Sequence, residues 1–191
     1  MPQRNQDDRS KKIVFVSNCL LNANNKVLEF ARYPGMFTQV VQTLDKYGIG
    51  LIQMPCPEVL HMGNQRWWHS RNLYDNAGFR RLCRTLAEQM ADYMENYAIV
   101  GYDVVAVLVC DGSPTCGVSV HSHYENGGGH PAEPERSLRE GPGVYTQELL
   151  SAVEARGLAM PPVYGLKMDD RDRTNQQILA EFDAFIRERL S

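Results

Sequence analysis

The sequence lacks a long hydrophobic run: nowhere do apolar residues continue for the roughly 20 positions that a bilayer-spanning helix needs. It also lacks a strong charge of either sign, since 20 lysines and arginines face 23 aspartates and glutamates, for a net charge of −3. We therefore expect neither a membrane nor a nucleic acid as partner. The polar residues 1–12 contain no apolar segment typical of a secretion signal, which predicts a cytoplasmic protein.

Cysteine is scarce, and its count of five is odd. In a reducing compartment disulfides are not expected, and clustered cysteines are more often metal ligands or catalytic groups. The length of 191 residues, 43% of them hydrophobic, is sufficient for one substantial core. We predict a disordered lead-in at residues 1–11, followed by a single domain at residues 12–191.

Apolar segments that alternate between strand and helix patterns indicate an α/β fold. Strands are predicted at about 12–17, 49–54, 103–110 and 162–166. Helices are predicted to begin at Pro34, at Asp75 or Asn76, near residue 144, and at the capping box of Thr174 to Gln177. These elements predict an open, mostly parallel, Rossmann-like sheet of about four to five strands with helices on both faces.

Residues 119–142 show little periodicity and contain the glycine run 127–129. Long loops in compact domains are usually lids or disordered segments, so we predict a lid here. Its histidines at positions 121, 123 and 130 are expected to be exposed to solvent.

Three cysteines follow directly after predicted strands, namely Cys19, Cys56 and Cys116. Ligands of open α/β sheets bind beyond the carboxyl ends of the strands, so these thiols are expected to surround one crevice. The alternative is that they are small buried hydrophobic residues. That alternative is favoured for Cys83, which lies on the apolar stripe of a helix. For Cys110, which ends the third strand, the alternatives are a fourth ligand, a resolving thiol and a buried residue, and it is interpreted as a non-ligand near the site.

Two kinds of metal centre are compatible with three cysteine thiolates as protein ligands. Zinc binds Cys₃His in structural sites, or three protein ligands and a water molecule in catalytic sites. An iron–sulfur cluster is normally held by four cysteines. With three cysteines one iron remains open, and it can act as a Lewis acid on a substrate.

The segments around the three cysteines resemble the thiouracil desulfidase (TudS-like) family, in order and with similar spacing over about residues 12–166. The matching segments are Ser17-Asn18-Cys19-Leu20-Leu21, Met54-Pro55-Cys56-Pro57-Glu58, Ser113-Pro114-Thr115-Cys116-Gly117 and Pro142-Gly143-Val144-Tyr145-Thr146. The resemblance implies a [4Fe-4S] cluster on the three cysteines with one open iron. It also implies that sulfur is removed from a thiolated pyrimidine as hydrosulfide, without net redox change.

The chain departs from that family at residues 60–66, where the family has glycines and a Pro-Arg pair. This departure indicates a TudS-related branch of desulfidases. The substrate is accordingly expected to be a small thiocarbonyl compound, either a thiolated pyrimidine or a related heterocycle.

Glu58 follows Cys56 by two residues and is the candidate base that takes a proton from the attacking water. A helix-capping or surface acid is the alternative role for this residue. Ser113 is a candidate catalytic residue that hydrogen-bonds the substrate or a cluster sulfide, or else a turn serine.

His61 and Arg66 are candidate substrate-binding residues, and His61 is also a candidate proton carrier. Trp67 and Trp68 are candidates for stacking on a heterocycle, for lid packing or for a subunit contact. Three other functions remain open at this point: a non-catalytic metal or iron–sulfur carrier, a zinc hydrolase with three cysteines and water, and a cysteine-nucleophile enzyme.

Overall fold

The computed structural model describes residues 7–125, 137–168 and 173–191. Of the predicted disordered lead-in, residues 1–6 lie outside the described part, and residues 7–11 form no helix or strand. The glycine run at 127–129 and His130 also lie outside it.

In chain order the elements are β1 (Lys12–Ser17), α1 (Asn18–Leu21), a 3₁₀ turn (Ala23–Asn25), α2 (Thr38–Lys46), β2 (Gly50–Met54), α3 (Pro57–Met62), α4 (Arg71–Tyr74), α5 (Ala77–Ile99), β3 (Asp103–Cys110), β4 (Val120–His123), β5 (Ser137–Glu140), α6 (Val144–Ala155), β6 (Val163–Leu166) and α7 (Asn175–Leu190).

Four parallel strands form the central sheet in the order β2-β1-β3-β6. Strand β1 lies between β2 and β3, with Phe15 paired to Ile52 on one side and to Val107 on the other. Because parallel strands have their carboxyl ends at one edge, β1, β2 and β3 deliver their following turns to the same place. The predicted α/β fold with an open parallel sheet is confirmed.

The two faces of the sheet carry separate cores, as the alternation of side chains along β1 requires. Ile13 and Phe15 pack with helices α5 and α6, whereas Val14 and Val16 pack with helices α2 and α7. All four side chains are at most 6% exposed. Helices therefore cover both faces. In the described ranges, no helix combines the length and apolar character needed to cross a membrane.

The helix starts agree with the sequence in three cases and differ in one. Helix α6 begins at Val144, as predicted. Asn76 caps α5 by accepting the backbone N–H of Phe79, and Thr174 forms the predicted capping box with Gln177. Helix α2 begins at Thr38 rather than at Pro34. The reason is that the backbone N–H of Phe37 is already used by the carbonyl oxygen of Leu20 at 2.9 Å. Because of that tertiary hydrogen bond, the helix begins four residues later than predicted.

The segment predicted as a lid contains a short antiparallel sheet, β4 paired with β5. Backbone hydrogen bonds join β4 to Gly112, which donates to Val120 and accepts from Ser122, both at 3.0 Å. The prediction that His121 is exposed is wrong: it is 7% exposed, and its Nδ1 lies 2.9 Å from the carbonyl oxygen of Gly141. The part of the predicted lid at residues 126–136 lies outside the described residues.

Candidate active site at the carboxyl ends of the strands

Cys19, Cys56 and Cys116 line one cavity of about 90 Å³. Cys19 lies in α1 directly after β1, Cys56 immediately precedes α3 after β2, and Cys116 lies in the turn after β3. Three neighbouring strands thus bring together three thiols that are 37 and 60 residues apart (56 − 19 and 116 − 56). Cys83, by contrast, lies on the buried face of α5 in the core, as predicted, and does not line the cavity.

The thiols of Cys19, Cys56 and Cys116 hold their protons more strongly than usual. The pKa of Cys19 is raised by a hydrogen bond with Cys110 and by burial. Burial and the charge of Glu58 raise the pKa of Cys56 to about 11. Burial and then Cys56 raise the pKa of Cys116. Any metal centre bound through the thiolates must therefore displace protons when it binds.

The turn that carries Cys116 is fixed by polar side chains that accept hydrogen bonds from its backbone N–H groups. Ser113 Oγ accepts the backbone N–H of Cys116 at 3.1 Å and that of Thr115 at 3.3 Å. Asp111 Oδ1 accepts three successive backbone N–H groups of residues 118–120. A Cβ atom at Gly143 would lie 2.4 Å from the carbonyl carbon of Thr115. The absence of a side chain there lets the start of α6 pack directly on this turn.

A buried ion pair forms part of the cavity wall. Glu58 Oε2 accepts a hydrogen bond from Arg66 Nε at 2.9 Å, and Glu58 Oε1 accepts one from Thr115 Oγ1 at 2.7 Å. Arg66 also donates to the carbonyl oxygen of Asn25 at 2.7 Å. Burial acts to lower the pKa of Arg66, but the carboxylate of Glu58 outweighs it, so the pKa is raised. The guanidinium of Arg66 is thereby held in its charged form.

The structure brings most of the predicted site residues together. Glu58, Ser113 and Arg66 line the cavity with the three cysteines. His61 is not among the lining residues: its side chain is exposed, and its ring packs edge-on against Phe79 with 5.2 Å between ring centroids. Gly63, with φ of 76°, ends α3 between His61 and Arg66.

Trp67 and Trp68 both line the cavity. The Nε1–H of Trp68 donates to the carbonyl oxygen of Leu28 at 2.8 Å, and its ring meets Phe30 edge-on with 4.7 Å between centroids. Trp67 is 63% exposed at the same cavity. One indole is therefore fixed by its contacts, and the other is accessible to solvent.

Sequence reasoning missed Lys26 and gave Thr115 no role. The ammonium of Lys26 lies 3.2 Å from the sulfur of Cys110, which also lines the cavity. Lys26 acts to lower the pKa of Cys19, against the larger effects of Cys110 and burial. No sequence signal marks Lys26, because it comes from the long connection between α1 and α2. The position of Cys110 at the end of β3 did predict that this residue lies near the cavity.

The donors around the cavity differ from those of a site for a single metal ion. In the described ranges, no three side chains of His, Cys, Asp or Glu are grouped to hold one metal ion. A cluster places different demands on the protein, because each thiolate binds a separate iron. Two buried hydroxyls beside the site, Ser17 Oγ and Tyr145 OH, have no hydrogen-bond partner among the described residues. They are available as donors to a sulfur-rich group.

Comparison with known proteins identifies a relative but no function. No family model matches the chain, and no solved structure matches it. The chain is 34% identical over 110 residues to the uncharacterized protein MJ0003 of Methanocaldococcus jannaschii, a match that covers 58% of this chain and 70% of the relative. With that identity over 70% of the relative's length, the chain belongs to the protein family of MJ0003.

Proposed function

We propose that the protein is a [4Fe-4S]-dependent desulfidase that removes sulfur, as hydrosulfide, from a small thiocarbonyl compound. The observation that supports this proposal is the convergence of four thiols, three of them each following a different strand, and one buried carboxylate on a single cavity. A thiolated pyrimidine or a related heterocycle is the proposed substrate class. The five cysteines are free, which agrees with a reducing cytoplasmic compartment.

Cys19, Cys56 and Cys116 would hold the cluster. When bound, the cluster would supply a Lewis-acidic iron that polarises a soft thiocarbonyl sulfur. Cys110 has the ammonium of Lys26 beside its sulfur and a hydrogen bond with Cys19, so it already has partners within the protein. We therefore propose Cys110 as a neighbour of the cluster rather than a ligand.

The overall reaction is a hydrolysis. Water forms a C–O bond to the thiocarbonyl carbon and the C–S bond breaks, so that R₂C=S and H₂O give R₂C=O and H₂S without electron transfer. A base must remove a proton from the attacking water. Glu58 is the buried carboxylate in the cavity wall, and each of its oxygens retains acceptor capacity beyond the one bond that it accepts from protein.

Arg66 and Thr115 would fix the position of that base. With one donor on each oxygen, the carboxylate cannot rotate freely, and its remaining lone pairs point to defined places. Ser113 is already used as an acceptor by the turn, so its role in the proposal is to shape the position of Cys116. The aromatic rings of Phe30, Trp67 and Trp68 provide apolar surface for a planar ring.

Anaerobic purification followed by an absorption spectrum and an assay of hydrosulfide release tests this proposal. The expected result is a brown protein that releases hydrosulfide from at least one of a panel of thiolated heterocycles. A brown protein that releases none would favour an iron–sulfur carrier. A colourless protein with bound zinc would favour a zinc hydrolase.

A further inference from the structure

Two buried hydroxyl groups beside Cys116 have no hydrogen-bond partner among residues 7–125, 137–168 and 173–191. Ser17 is 3% exposed and Tyr145 is 1% exposed. Burying a hydroxyl without a partner is costly, and such groups are rare in native proteins. Two of them near one thiol therefore require an explanation.

Each hydroxyl is held close to Cys116 by a different element. Ser17 is the last residue of β1, and its side chain makes no capping bond to α1. The hydroxyl of Ser17 lies close enough to the sulfur of Cys116 to act toward a lower pKa of that thiol, against the larger effect of burial, which raises it.

Tyr145 reaches the same place from the first turn of α6. Its backbone N–H donates to the carbonyl oxygen of Thr115 at 2.9 Å, and the next residue, Thr146, donates from Oγ1 to the carbonyl oxygen of Cys116 at 3.0 Å. The ring lies in the same buried cluster as Cys116. Among the neighbouring side chains, the thiol of Cys116 contributes most to the raised pKa of Tyr145, after burial.

We propose that the hydroxyls of Ser17 and Tyr145 donate hydrogen bonds to sulfur at the Cys116 corner of the bound cluster. This inference rests on the proposed function, since it requires the cluster. In the metal-free protein the two donors face a neutral thiol, which is a weak acceptor. A thiolate ligand or a cluster sulfide carries negative charge and is a much stronger one. The two residues thus act as positioning residues that stabilise the loaded state and set its reduction potential.

The inference predicts opposite effects with and without the cluster. In the metal-free protein, Tyr145→Phe and Ser17→Ala remove a buried group that has no partner, so the midpoint of thermal unfolding should stay the same or rise. In the loaded protein, the same changes remove a donor to sulfur. Loss of a partner of this kind typically weakens metal binding by 10- to 100-fold, so an iron chelator should remove the cluster at least about tenfold faster.

The reduction potential gives a second readout that does not depend on activity. Reduction adds negative charge to the cluster, and donors to sulfur stabilise that charge. Each variant should therefore shift the midpoint potential to a more negative value. Matched controls are Tyr164→Phe, a partly buried tyrosine that packs on Phe182 and Phe185, and Ser70→Ala, a buried serine whose hydroxyl already donates to Asn72. Neither control should move the potential.

The outcomes separate this inference from the proposed function. If the wild type loads a cluster and both variants keep its potential and its rate of loss, the inference is wrong and the proposed function stands. If the wild type takes up no cluster under anaerobic reconstitution, the proposed function fails and the inference fails with it. Metal-free variants that unfold at lower temperature than wild type would also contradict the inference, because the hydroxyls would then have partners without the cluster.

Discussion

Arg66 and Glu58 form an ion pair in the wall of the cysteine-lined cavity, with 2.9 Å between Nε and Oε2 and side chains that are 3% and 11% exposed. Removing one partner of a buried pair leaves the other charge without compensation. Arg66→Met should therefore lower the free energy of unfolding by about 3–5 kcal/mol. Urea denaturation of the metal-free wild type and variant measures this change in the free energy of unfolding.

Arg84→Met is the matched control for that change, because Arg84 pairs with Glu148 from a largely exposed position. Exposed pairs contribute only about 0–1 kcal/mol. Replacing both partners, as in Glu58→Gln with Arg66→Met, should recover part of the loss, since no unpaired charge then remains. Equal costs for Arg66→Met and Arg84→Met would contradict the importance of the buried pair.

Glu58→Gln tests the role of the base. The amide has the shape of the carboxylate but cannot take a proton from water. At equal cluster content, turnover should fall by about 10²–10⁴-fold while substrate binding persists. Hydrosulfide release and substrate affinity are measured on the same preparations. Glu148→Gln is the control, because Glu148 is a comparably buried carboxylate paired with Arg80 between α5 and α6. Unchanged turnover in fully loaded Glu58→Gln would remove Glu58 from the mechanism.

Single cysteine substitutions separate ligands from core residues. Cys19→Ser, Cys56→Ser and Cys116→Ser should each sharply reduce iron content. Cys83→Ser should keep the iron, because Cys83 lies in the core and not at the cavity, and should lower stability by roughly 1 kcal/mol. Iron analysis of anaerobically purified variants measures the effect. Loss of iron in Cys83→Ser together with full iron in Cys116→Ser would show that the ligand assignment is wrong.

Cys110→Ser addresses the fourth cavity thiol. Its sulfur already interacts with Lys26, so the variant should retain the iron of the wild type. The same iron analysis applies. A loss as large as that in Cys19→Ser would make Cys110 a ligand.

The raised pKa of Cys56 predicts a pH dependence of the metal-free protein. The folded protein holds this proton up to about pH 11, whereas the ordinary thiol pKa is 9.0. The contribution of this proton to the free energy of unfolding is thus complete below pH 9. It is lost as the pH rises from about 9 to about 11, and the total loss is roughly 2–3 kcal/mol. Urea denaturation across this range measures it. Cys56→Ser should show a shallower decline, and identical slopes for the two proteins would contradict the burial of this thiol.

The sheet and its helices could be predicted because their signals are local. The apolar runs after Lys11 and before Asp111, the cap at Asn76 and the box at Thr174 each appear in a short stretch of sequence, and the structure agrees with them. The gathering of Cys19, Cys56 and Cys116 followed from strand topology alone. These features depend on periodicity and on the general geometry of parallel sheets.

Other features could not be predicted because they depend on contacts between distant segments. The bond of Arg66 to Asn25 and that of Lys26 to Cys110 join residues 41 and 84 positions apart. The burial of His121 depends on pairing of β4 with both β5 and the turn after β3. Nothing in the segment around Tyr145 indicates that its hydroxyl lacks a partner.

The content of iron and acid-labile sulfide in protein purified without oxygen tests the central claim most directly. About four irons and four sulfides per chain are expected, as in a [4Fe-4S] cluster. The content should collapse in Cys19→Ser, Cys56→Ser and Cys116→Ser. A wild-type protein that remains free of iron and sulfide after anaerobic reconstitution, or that binds one zinc ion per chain instead, would contradict the claim.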